Sequence, residues 1–160
     1  TLPAIQAMRP SPAGTATPSA PTPTLSGSAA SGAEAAESAR QRGRVLVVDD
    51  EELVLDLISD TCCDSGFLVH TAASLRVART IAATEPPDYL IVDAHIDDGD
   101  VGAFVQELVD QRPGLAQRIL LITGDPDANR AQAIRRQHDC PVLPKPFRIA
   151  DLAAAVDAWQ

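Results

Sequence analysis

Five short apolar runs, separated by stretches of helical periodicity, constrain this chain more than any other feature. They fall at 45–48, 67–71, 89–92, 119–123 and 141–143, and several are continuously apolar, VLVV and YLIV among them. A strand with one face in water alternates apolar and polar residues, whereas a continuously apolar strand is covered on both faces. Helical periods follow the runs at 51–64, 74–84, 103–111, 127–137 and 149–159. Strict alternation of strand and helix specifies an α/β fold, a doubly wound parallel sheet, because parallel neighbours need a crossover and that crossover is right-handed. Pro141 and Pro144 flank the fifth run and put it at a sheet edge, where a missing ladder donor does least harm. Asp125-Pro126 reads as the cap and first-turn proline of the fourth helix.

The alternation begins only at Arg44. Residues 1–43 hold 6 of the 13 prolines, no aromatic residue and a net charge of +1. From 8 to 32 the chain is Pro, Ser, Thr, Ala and Gly with almost no bulky apolar side chain, so burial cannot offset the entropy of ordering it. The expectation is a flexible linker over 1–43 and one folded domain over 44–160, a length suited to a single core. The domain carries 20 acidic against 10 basic residues, and a net charge of −10 opposes nonspecific binding to nucleic acid or an anionic membrane. No apolar run reaches the roughly 18–20 residues that span a bilayer. The first residues also lack the basic-then-apolar build of a signal peptide. The expected location is cytoplasmic, with a parent protein free to be membrane-anchored. Cys62, Cys63 and Cys140 have no metal-ligand spacing, and the adjacent pair reads as helix packing in a reducing compartment.

In an open parallel sheet the functional crevice forms beyond the carboxyl ends of the strands. The residues that follow the apolar runs are Asp49-Asp50, Asp93, Thr123-Gly124 and Lys145-Pro146. Each has a plain structural use, since acids start helices and threonine is an ordinary strand residue. Their convergence on one rim outweighs those uses. Clustered carboxylates repel and raise at least one pKa unless a cation neutralises them. One or two carboxylates with retained waters suit Mg2+, which completes its octahedron with phosphate oxygens. Lys145, the only lysine beside 12 arginines, offers a point charge to the remaining phosphoryl oxygens, and Thr123 a hydroxyl. The set reads as metal-assisted phosphoryl transfer onto a carboxylate.

The segments VLVVDDEE at 45–52, YLIVDAHI at 89–96, ILLITGD at 119–125 and LPKPF at 143–147 resemble the receiver domain of two-component response regulators. The resemblance runs from about Arg44 to Trp159. It implies a flavodoxin-like (βα)5 fold with strand order 2-1-3-4-5. It implies that Asp93 is the phosphoacceptor, taking a phosphoryl group from the phosphohistidine of a histidine kinase or phosphotransfer domain in a Mg2+-dependent reaction that switches the conformation. By the same resemblance Asp50 binds the metal directly and Asp49 through a water, with Asp93 and the backbone carbonyl of His95 as further ligands. Thr123 is then the switch hydroxyl, Gly124 leaves room for the donor, and Lys145 contacts the phosphoryl group through a loop with a cis Lys145-Pro146 bond. His95 and Asp125 stand where the family tunes phosphoryl lifetime. The domain so implied is a regulatory phosphoacceptor that assists its own phosphorylation and dephosphorylation, not a turnover enzyme, and a homodimer is compatible with it.

The departures are as specific as the matches. The family commonly has Met-Pro and then Asp-Gly or Asn-Gly after the acceptor, where this chain has Ile96-Asp97 and Asp100-Val101, with Gly102 one position late. Asp97, Asp98 and Asp100 add three acids beside the site, and the family's switch aromatic is replaced by Val142. These changes raise an alternative, a pseudo-receiver that binds proteins without being phosphorylated. A flavin-binding relative of the same fold needs a Ser/Thr/Gly-rich phosphate loop after the first strand, and Asp-Asp-Glu-Glu opposes it. The long upstream stretch, the end of the chain at the fifth helix and the opening TLPA, similar to the last strand of a histidine-kinase ATP-binding domain, point to the carboxyl-terminal receiver of a hybrid sensor kinase without a DNA-binding output domain. His70 and His138 read as surface residues, and Ile149, Leu152, Val156 and Trp159 as the core stripe of the last helix.

Overall fold

The computed structural model describes residues 41–159; the linker reading over 1–40 falls outside them. Strand β1 (Arg44–Val48) leads to helix α1 (Glu52–Asp64), β2 (Leu68–Ala72) to α2 (Leu75–Thr84), and β3 (Tyr89–Asp93) to α3 (Val101–Gln111). A 3-10 turn at Pro113–Gln117 precedes β4 (Ile119–Thr123), which leads to α4 (Asn129–His138), and β5 (Val142–Pro144) leads to α5 (Ile149–Asp157). All neighbouring strands pair in parallel, in the order β2-β1-β3-β4-β5. This is the expected flavodoxin-like sheet, with the proline-flanked β5 at one edge.

The apolar runs are continuous because the sheet is buried on both sides. Every residue of β3 and of β4 is buried. With side chains alternating across the sheet, Leu46, Val48, Leu90, Val92, Ile119 and Leu121 pack with Leu75 of α2, Phe104 of α3 and Ile134 of α4. Val45, Val47, Ile91, Leu120 and Ile122 pack on the opposite face with Ile58 of α1 and Leu152 and Val156 of α5. Cys62 belongs to that second layer, and burial, with Cys63 beside it, pushes its thiol up to about 12, so it packs as an apolar group and not as a thiolate.

The amino-terminal ends of the strands are closed by aromatic residues. Trp159 stacks on Tyr89 with ring centroids 4.7 Å apart and meets Phe67 edge-on, which closes the end of α5 as expected. Arg42, which the sequence assigns to the linker, is part of this closure. Its guanidinium lies 4.5 Å over the Phe67 ring and donates to the Trp159 carbonyl at 2.6 Å. Gly43 links it to β1 at φ +130°, a conformation L side chains avoid, and a Cβ there would press on Asp88 and Tyr89.

Four local expectations are corrected. Helix α4 starts at Asn129, not after Asp125-Pro126, because Asp125 closes a turn: its carbonyl accepts from Ala128 N–H and its carboxylate from Asp127 N–H. Ile149 is 58% exposed, since it sits at the first turn of α5, beyond the reach of the sheet. His70 and His138 are half-buried, and the Nε2 of each is enclosed without a hydrogen-bond partner among the described residues. The acids after Asp93 are not all beside the site. Asp98 accepts from the amides of Leu75 and Arg76, and Asp100 caps α3 by accepting from Ala103 N–H.

Candidate functional site

Each strand of the sheet's centre ends in a polar residue that the buried run behind it holds in place. Asp49 follows β1, Asp93 ends β3, and Thr123 ends β4; all three are buried at the carboxyl rim. Lys145 follows β5 on a cis Lys145-Pro146 bond, and its amide donates to the Thr123 carbonyl at 2.7 Å, which fixes the loop to β4. The Lys145 Nζ then lies 2.8 Å from Asp49 Oδ2, 2.8 Å from Asp93 Oδ2 and 3.0 Å from Glu51 Oε1.

Burial disfavours the charged forms of Asp49 and Lys145, and their pairings decide the balance. Asp49 titrates above the usual carboxylate range: its burial, reinforced by the nearby Asp93 charge, outweighs the hydrogen bonds from Lys145 and from Glu51 N–H. Burial acts to lower the Lys145 pKa, but contacts with Asp49, Asp93 and Glu51 outweigh it, so the ammonium is held above its ordinary value. Asp49 Oδ2 is enclosed, and the Lys145 ammonium stands 2.8 Å from it. One ammonium does not balance the carboxylates gathered around it, so the rim keeps a negative charge that a further cation can meet.

Asp49, Asp50, Glu51 and Asp93 each present a carboxylate oxygen within 4.8 Å of the others. Hard oxygen donors on one rim fit a small divalent ion such as Mg2+. Glu51 was not among the expected ligands. The signal for it was its place beside Asp49-Asp50, but that position also starts the helical period, and the periodicity hid its place on the rim.

Thr123 Oγ donates to the Asp125 carbonyl and accepts from the Asp125 amide, both at 3.1 Å. His95 is exposed; its amide donates to Asp93 Oδ1 at 2.8 Å, while its Nδ1 stands 3.5 Å from Thr123 Oγ, too far for a strong hydrogen bond. A Cβ on Gly124 would meet nothing within 4 Å, so the approach over this residue is open. Asp50, Glu51, Asp93, His95, Gly124, Asp125 and Lys145 line one cleft of about 330 Å³. Val142 lies away from it, half-buried against the α2–α4 side of the core. A larger cleft of about 630 Å³ runs between α3 and α4, and none of the strand-end carboxylates lines it. Beside the site, Val54 and Leu57 of α1 with Pro146 and Phe147 line a further groove that Glu51 and Lys145 border, and Leu53 near it is 84% exposed.

Comparison with known proteins agrees with this geometry. The family described as response regulator receiver domain matches residues 45–157. Two curated relatives are photosynthetic apparatus regulatory proteins RegA. That of Cereibacter sphaeroides is 35% identical over 80 residues, 50% of this chain and 42% of the relative. That of Rhodovulum sulfidophilum is 30% identical over 112 residues, 70% of this chain and 60% of the relative. The chain thus spans about half the length of the curated relatives it matches. Among solved structures, the chemotaxis response regulator CheY4 of Vibrio cholerae superposes with a TM-score of 0.62 at 25% identity, covering 73% of this chain and 98% of that one.

Proposed function

The chain belongs to the response regulator receiver domain family, and from that premise we propose that it accepts a phosphoryl group on Asp93 and switches conformation in a two-component phosphorelay. Receiver domains are regulatory signalling domains of two-component systems, and they bind Mg2+ at an acidic pocket. The observation that carries the reading is the meeting of Asp49, Asp50, Glu51 and Asp93 with the Lys145 ammonium on one rim.

In the proposed reaction an Asp93 carboxylate oxygen attacks the phosphorus of a phosphohistidine; the O–P bond forms, the P–N bond breaks with its electron pair going to nitrogen, and the imidazole, already protonated on its other nitrogen, leaves as the neutral base. Asp49, Asp50, Asp93 and the His95 carbonyl would hold Mg2+, which would supply charge neutralisation for the phosphoryl oxygens. Lys145 supplies the second positive charge, already beside Asp93 Oδ2. The His95 amide orients the Asp93 carboxylate. Thr123 is the hydroxyl that leaves its turn with Asp125 for the phosphoryl group, and His95 and Asp125, both lining the cleft, set the lifetime of the product.

The proposed donor is a histidine kinase or histidine phosphotransfer domain, received on the exposed apolar surface of Leu53 and the groove of Val54, Leu57 and Phe147 beside Lys145. The proposed setting is the receiver of a hybrid sensor kinase, supported by the opening TLPA and the Pro-rich stretch after it. The segment's acidic charge supports a role without direct nucleic-acid contact. Among the described residues no helix is long and apolar enough to cross a membrane. The pseudo-receiver alternative gains no support from the fold or the relatives.

NMR of the protein with Mg2+ and beryllofluoride tests the switch. The expected result is a set of shifts at the amides of Asp93, Thr123, Gly124 and Lys145 that Asp93→Asn abolishes; an unresponsive wild type refutes the proposal.

A further inference from the structure

The first-turn amides of a helix have no partner within it. Helix α2 satisfies them from two sources. Ser74, its cap, accepts from Val77 N–H at 3.2 Å. The amides of Leu75 and Arg76 donate instead to the two oxygens of Asp98, at 2.9 and 3.1 Å, although Asp98 lies in the loop after β3. A carboxylate that gives both oxygens to consecutive amides is fixed in orientation as well as position. Those hydrogen bonds hold its pKa below the usual carboxylate range, and the positive end of the α2 dipole favours the same charge. The loop also touches α2 directly, since a Cβ on Gly99 would stand 3.2 Å from a Leu75 methyl.

The same loop carries His95, which lines the cleft of the site. His95 N–H holds Asp93 Oδ1, Ile96 is buried as the loop turns away, and Asp100 caps α3. Between Ile96 and Asp100, the side-chain hydrogen bonds that anchor the loop to other elements among the described residues are those of Asp98.

We propose that Asp98 is a positioning residue for the phosphoacceptor site: it latches the β3–α3 loop onto the first turn of α2, and so sets where His95 holds Asp93 and where the loop can meet the cation. The effect on the cation rests on the function proposed above, whereas the latch does not. Asp98 touches none of the reacting groups, so its substitution acts through the loop.

The test compares Asp98→Ala and Asp98→Asn with Ser74→Ala, which removes the other cap of the same helix and leaves the loop alone. In metal-free protein, amide hydrogen exchange at His95 is expected to accelerate about tenfold in Asp98→Ala, less in Asp98→Asn, which keeps one acceptor oxygen, and not in Ser74→Ala. Mg2+ titration followed by NMR is expected to give a dissociation constant raised about threefold or more in Asp98→Ala and unchanged in Ser74→Ala. Should Asp98→Ala fail to fold, Asp98→Asn carries both measurements. Unchanged His95 exchange in a folded Asp98 variant overturns the latch, as does an equal change in Ser74→Ala, which marks mere loosening of α2. A wild type that binds no Mg2+ refutes the phosphoacceptor reading, while the exchange experiment still decides the latch.

Discussion

Asp49 shows how function and stability oppose each other at a single residue. Its carboxylate is fully buried, with its pKa raised chiefly by desolvation, so the charged form is disfavoured in the folded state relative to the unfolded chain. A raised carboxylate pKa means that the folded protein binds this proton more tightly, and the penalty is relieved as the pH falls through the folded-state value. Asp49→Asn is therefore expected to stabilise the metal-free protein by about 1 kcal/mol at neutral pH. That advantage should shrink on acidification as wild-type Asp49 takes up its proton. Urea denaturation with a chelator at pH 7 and at pH 5 measures both parts; a variant less stable than wild type at pH 7 contradicts the account. Which acids carry such strain was only partly legible in the sequence. Asp49, Asp50 and Asp93 are marked by the apolar runs behind them, whereas Asp98 caps a helix that begins at Leu75, and nothing local reveals a partner so distant along the chain.

The elements divide into those that hold the sheet and those that face outward. Phe104 of α3 is fully buried against the β1–β3–β4 side of the sheet, and Arg79 lies 5.5 Å over its ring. Phe104→Ala leaves a cavity that rigid strands cannot collapse into, so it is expected to cost about 3–5 kcal/mol in urea denaturation. Leu53 on α1 has the opposite character, being 84% exposed. Leu53→Ser is expected to change stability by less than about 0.5 kcal/mol. If α1 receives the donor, it slows phosphoryl transfer from a phosphohistidine protein while leaving the reaction with acetyl phosphate at its wild-type rate. Strand positions were legible because double-sided burial leaves continuous apolar runs; β4 matches its expected limits at Ile119–Thr123. The start of α4 was not, because Asp-Pro serves a turn as well as a helix, and only packing decides between them.

For the whole molecule, chemistry and chain connection lie at opposite ends of the sheet. The carboxylates and Lys145 gather at the carboxyl rim, while Arg42 and Trp159 meet at the amino-terminal ends of the strands. Arg42 ties the entry of the chain to the end of α5 through the Phe67 ring and the Ser65 and Trp159 carbonyls. Arg42→Ala is expected to lower stability by about 1–2 kcal/mol, read from the fluorescence of Trp159, and to leave Mg2+ binding unchanged. Nothing in the sequence marks Arg42 for this closure, because a single arginine after a Pro-rich stretch has no periodicity to claim it. By the proposed function, the rim at the other end forms an acyl phosphate on Asp93. Incubation with Mg2+ and acetyl phosphate, followed by intact mass, tests it directly. One phosphoryl adduct is expected on the wild type and none on Asp93→Asn; an unmodified wild type, or an adduct undiminished by the substitution, refutes acyl phosphate formation at this rim.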